Sequence, residues 1–157
     1  MLLNHRVFDV WTFRRRSADV EYLLLQASEV KAERYFNGGR FWQIPSGVFR
    51  DDETVPEAID RVLSGHALHA RSIWAAEHAY TIYNRRFHEI QMISVYAAEL
   101  AGDDPRLNPE EHGSFAWLPF EAALDTVHYR GLKDGLRSVR DYITGPTVPA
   151  PELCLRG

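Results

Sequence analysis

The sequence predicts an α+β fold in which one mixed β-sheet carries helices on its faces. Two observations carry this expectation. Strand-like runs rich in Val, Ile, Leu and aromatic residues fall in two groups, before residue 54 and between 72 and 99, with one amphipathic helix between them. Two further helical segments follow residue 119, so the order is β–β–β–α–β–β–β–α–α. A parallel doubly wound sheet would alternate strand and helix throughout, and this chain does not.

Taken in order, residues 7–13 are β-branched and aromatic and read as a strand. Residues 20–26 form a nearly continuous apolar run, as in a strand buried on both faces. A short strand over 41–45 enters a turn at Ser46-Gly47. A helix is expected from Thr54 to about Ala67. Thr54 is its N-cap and Glu57 completes a capping box, while Pro56 sits in the first turn, where a missing N–H does little harm. Ile59, Val62 and Leu63 give it a core-facing stripe. Residues 72–83 and 86–99 flank Asn84-Arg85 as a long antiparallel hairpin. Residues 101–109, with two prolines, two aspartates and a glycine, read as a loop. A strand over 114–118 and helices over 119–127 and 131–143 complete the pattern. Leu132, Leu136, Val139 and Ile143 share one face of the last helix.

With 157 residues, the chain has length for one domain, expected over 1–145, followed by an extended tail over 146–157 that contains proline. A formal net charge of −4 argues against a general nucleic-acid binder. No apolar run approaches the length of a membrane span, and the first residues lack the pattern of a signal peptide. The single cysteine, Cys154, excludes an internal disulfide. Together these point to a cytoplasmic protein.

The segment from Trp42 to Thr54, with Gly47, Glu53 and Arg61 at spacings of six and eight residues and Leu63 after them, resembles the signature of the Nudix hydrolase family. Trp42-Gln43-Ile44-Pro45-Ser46-Gly47 upstream, Glu111-His112 and Trp117-Leu118 before the Phe120-Glu121-Ala122-Ala123 helix, and the closing amphipathic helix are similar too. The resemblance covers roughly residues 5–143, and its ending is reminiscent of members acting on nucleoside and dihydroneopterin triphosphates. It implies a Nudix-type α/β/α sandwich, a mixed sheet with the signature helix on one side. It also implies hydrolysis of a nucleoside triphosphate or a nucleoside diphosphate-linked compound with magnesium or manganese, and a homodimer by family habit. Gly47, Glu53 and Arg61 would be the structural residues of the signature.

The chemical half of the signature departs from the family. Where the family places three glutamates, this chain has Val62, Gly65 and His66; Leu68 and His69 replace the closing glycine and apolar residue, and Arg50 stands where an acid is common. Positions 62, 65, 66 and 69 share one helical stripe. Magnesium takes hard oxygen ligands, and this stripe offers none. Gly65 also weakens a helix interior by about 1 kcal/mol relative to alanine.

Compensation would rest on Glu111 and Glu57 as catalytic carboxylates, with Asp60 nearby. Glu57 and Arg61, at i and i+4, equally fit an ordinary helix ion pair. For metal, His66 and Glu111, with His69 or His112, would favour a transition ion over magnesium. Arg14, Arg50 and Arg86 are candidate phosphate contacts, and Trp42 and Phe87, with Phe36 and Tyr83, are candidate stacking groups for a planar ligand. The resemblance implies a hydrolase, and the residues imply that its metal-dependent activity is weak or altered. The alternatives are a catalytically inactive nucleotide-binding protein without cofactor, and a role in binding a protein partner.

Overall fold

The computed structural model describes all residues, Met1–Gly157. Its strands are β1 (Leu2–Asn4), β2 (Val7–Arg16), β3 (Asp19–Ala27), β4 (Trp42–Gln43), β5 (Ser46–Val48), β6 (Ala70–Asn84), β7 (Glu89–Leu100), β8 (His112–Leu118) and β9 (Cys154–Arg156). Its α-helices are α1 (Glu29–Tyr35), α2 (Val55–Gly65), α3 (Phe120–Thr126) and α4 (Arg130–Val139). The main path of the sheet runs β4-β3-β2-β7-β6-β9, with β1 on β7, β5 on β2 and β8 on β3. β1 and β2 run parallel to β7 and the remaining pairs are antiparallel, so the sheet is mixed as expected.

The alternation of side chains along β2 and β3 builds a core on each face. Phe8, Val10, Leu23 and Leu25 pack with Ala58, Ile59 and Leu63 of α2. Trp11, Phe13, Tyr22 and Leu24 pack with Ala123 of α3 and Leu132, Leu136 and Val139 of α4. The run over 20–26 is therefore apolar because both sides of it are covered. The buried Trp11 indole donates from Nε1 to the carbonyl of Leu132 at 3.2 Å, fastening the first turn of α4 to β2. The capping box at the start of α2 is formed: Thr54 Oγ1 accepts from Glu57 N, and Glu57 Oε2 accepts from Thr54 N.

Several features differ from the sequence reading. Ser46-Gly47, expected as a turn, lies in β5, and the helix expected to reach Ile143 ends at Val139 and passes into a π-helical turn over Arg140–Thr144. Helix α1 was not foreseen, because its seven residues bury only Ala32 and present no stripe; Ser28 caps it by accepting from Lys31 N at 3.0 Å. Helix α2 ends at Gly65 rather than near Ala67, since Ala67 takes φ +57°. The hairpin turn occupies 85–88 instead of Asn84-Arg85, with Asn84 Oδ1 accepting from the amides of Arg86 and Phe87. The segment over 146–157 passes a 3-10 turn at Pro151–Leu153 and then joins the sheet, β9 pairing with Ile73 and Trp74 of β6. No helix is long and apolar enough to cross a membrane.

Candidate functional site

The loop into α2 is held by one fork of hydrogen bonds. Arg61 donates from Nε and Nη2 to Glu53 at 2.6 and 2.9 Å, and from Nη2 to the carbonyl of Val48 at 2.9 Å. Glu53 also accepts from Arg50 N at 2.9 Å. These bonds hold the Glu53 carboxyl well below its usual range, at about 2. Gly47 pairs with Phe8 of β2, and Val62 fills the space beside it: a Cβ on Gly47 would lie 2.6 Å from Val62 Cγ2. A valine methyl thus covers this backbone.

Beyond the last turn of α2, four chemically active side chains gather. The rings of His66 and His112 lie 5.8 Å apart, and the Nδ1 atom of each is buried without a hydrogen-bond partner. Burial depresses the basicity of both imidazoles, and the Lys31 ammonium pushes the same way; His112 falls to about 4. Lys31 is itself lowered by burial and partly restored by Glu111. Ser28 ties the loop to α1, its amide donating to Glu111 O and its hydroxyl to Glu110 O.

This arrangement does not fit magnesium or manganese. One carboxylate stands with two imidazoles and an ammonium, and the cation opposes a second positive charge. No three His, Cys, Asp or Glu side chains converge closely enough to share an ion. Glu57 is spent on the capping box, Asp60 is clamped by Arg156 at 2.5 and 2.8 Å, and the exposed His69 lies past the end of the helix.

The three candidate arginines do not converge. Arg14 is buried, lying 4.2 Å over the Trp117 ring while its Nε donates to Glu21 at 2.9 Å and Nη1 to the carbonyl of Gly102 at 3.1 Å. Arg50 is exposed in the loop before α2. Arg86 sits at the hairpin tip over Tyr35, at 4.7 Å, and Phe87, at 5.7 Å. Trp42 packs against the α3–α4 core, and Phe87 is exposed at the hairpin tip. Neither lines the main cavity.

That cavity lies on the α4 face of the sheet and has a volume of about 720 Å³. Phe36 and Tyr83, two of the expected stacking groups, line it together with Tyr129. Asp9, Gln43, Tyr80 and Gln91 supply its polar groups, and Arg130 and Asp134 come from the start of α4. Asp9 is buried on β2, and burial pushes its carboxyl up to about 6 against the opposing hydrogen bond from Tyr80. The Tyr80 hydroxyl donates to Asp9 Oδ2. Its ring lies against Gly131, where any Cβ would collide with it. The sequence reading missed Asp9, Tyr80, Gln43 and Arg130. An acid within the largely apolar strand over 7–13 was the available signal.

No protein-family model and no curated protein matches this sequence. Solved structures do match in three dimensions. A putative Nudix hydrolase from Listeria monocytogenes superposes with a TM-score of 0.74 at 16% identity, over 92% of this chain and 98% of that one. The Nudix domain of Shewanella oneidensis NrtR, in complex with ADP ribose, gives 0.68 at 16% identity, over 90% and 89%. The Escherichia coli dihydroneopterin triphosphate pyrophosphohydrolase gives 0.64 at 14% identity, over 91% and 99%. The protein has the Nudix hydrolase fold.

Proposed function

We propose that this protein binds a nucleotide-like molecule in the cavity beside α4 and has weak or no magnesium-dependent hydrolase activity. The observation that carries this reading is the face of α2: a valine methyl fills the space beside Gly47, and the His66 ring beyond the last turn faces His112, with Lys31 close enough to oppose charge on both, instead of a set of carboxylates. A fold does not fix a reaction, so the chemistry follows the site. The aromatic lining and convergent polar groups suit a planar ring, and Arg130 at the mouth suits an attached phosphate. The ADP ribose in a structural relative is in keeping with a ligand of this class.

The test is a panel of nucleoside di- and triphosphates measured two ways. Thermal stabilisation with EDTA present is expected for at least one of them, with little phosphate or pyrophosphate release under magnesium or manganese. Brisk cleavage abolished by chelation would overturn the reading. Hydrolysis would then rest on Glu111, the one carboxylate beside the histidines, and Glu111→Gln would lower the rate sharply.

A further inference from the structure

Two acceptors in the cavity have unused capacity. Tyr80 donates to Oδ2 of Asp9, and no protein donor reaches Oδ1. Gln43 Oε1 is buried with no hydrogen-bond partner. Both side chains line the same space, as do the aromatic rings of Phe36, Tyr83 and Tyr129. A buried acceptor left unpaired is destabilising, so a ligand that supplies a donor to Gln43 Oε1 recovers part of that penalty.

The position of Asp9 is determined from three sides. Its backbone is paired with Ser46 of β5 and with Val95 of β7. Its carboxyl is held by Tyr80, whose ring rests on the side-chain-free surface of Gly131 in the first turn of α4. A rigid acceptor at the floor of a cavity discriminates by hydrogen-bond pattern, because a ligand presenting a lone pair there loses the bond and meets like charge.

Resting on the ligand-binding reading above, we propose that Asp9 and Gln43 select a planar heterocycle whose edge presents adjacent N–H donors. The matching chemistry is the 2-amino-4-oxopyrimidine edge, with a ring N–H beside an exocyclic amine. Guanine nucleotides and pterins share that edge. Adenine and neutral cytosine place a lone pair beside their amine, and uracil flanks one N–H with two carbonyls. Those bases oppose an acceptor to the Asp9 carboxylate.

Calorimetric titrations with GDP, ADP, UDP and free pterin, all with EDTA, test the proposal. GDP is expected to bind at least about tenfold more tightly than ADP or UDP. Binding of pterin as well would assign the selectivity to the shared edge, whereas GDP alone would assign it to guanine nucleotides. Asp9→Asn, which can still accept from Tyr80, should weaken GDP binding at least about tenfold and leave ADP binding little changed. Gln43→Leu should also weaken GDP binding, and serves where Asp9→Asn does not fold. Equal affinity for GDP and ADP, or GDP binding untouched in the folded variants, would overturn this proposal and leave the ligand-binding reading standing. Failure of every ligand to bind would overturn both.

Discussion

The Cγ2 methyl of Val62 lies 2.6 Å from the point that a Cβ on Gly47 would occupy. The loop and helix are thus fitted to each other through an apolar contact at a position where the family resemblance implies a metal-binding carboxylate. The variant carrying Val62→Glu, Gly65→Glu and His66→Glu together restores three oxygen-bearing side chains to this stripe. It should show a melting temperature that rises on adding magnesium, while the parent protein shows no such rise. Equal responses from the two proteins would mean that the stripe is not what governs metal affinity.

Asp9 and His112 make opposing contributions to stability in acid. The Asp9 carboxyl is raised from 3.8 to about 6, so the folded state holds a proton that the unfolded state releases between those values. Its burial therefore lowers stability as pH rises through this window, by up to about 3 kcal/mol. His112 is lowered from 6.5 to about 4, so the unfolded state binds the extra proton and stability falls as pH drops through 6.5 towards 4. Asp9→Asn should gain roughly 1–3 kcal/mol over the parent at pH 8, and lose most of that advantage near pH 4. His112→Gln should flatten the acid limb instead. Denaturant melts from pH 4 to 8 would show the two effects separately.

The fork from Arg61 joins Glu53 to the Val48 carbonyl, so it fastens both ends of the loop into α2. Arg61→Ala should lower the melting temperature and speed amide exchange over residues 47–53. Arg61→Lys should rescue little, because an ammonium cannot present the same planar set of donors. Full rescue by lysine would reduce the fork to a simple charge effect.

Arg156 and β9 fasten the end of the chain in two different ways. The exposed ion pair with Asp60 contributes less than about 1 kcal/mol, so Arg156→Ala should be mild. Removal of 154–157 uncovers the β6 edge around Ile73 and Trp74, and should cause self-association visible by light scattering. A truncated protein that stays monodisperse would show that this edge is protected by something else.

The β-branched and aromatic residues over 7–13, the apolar run over 20–26 and the capping box at Thr54 each carried enough local information to place its element. Helix α1 did not, since a seven-residue helix with one buried alanine leaves no periodic trace. Within the candidate site, the family resemblance named Glu53 and Arg61 as structural residues, and Arg61 donates to Glu53 at the entry to α2. Charge clustered in sequence says nothing of direction: Arg14 turns into the protein against Trp117, while Arg86 stays at a hairpin tip. Asp9 and Tyr80 are brought together from β2 and β6, which are separated in the sheet by β7. A pairing of that kind has no signature within either segment.

The bond from the Trp11 indole to the Leu132 carbonyl places a fluorophore one residue away from the glycine under Tyr80, behind the wall of the cavity. Any occupant that shifts the first turn of α4 will alter the electric field at that indole. An occupant of that kind would change the emission of one of the chain's four tryptophans.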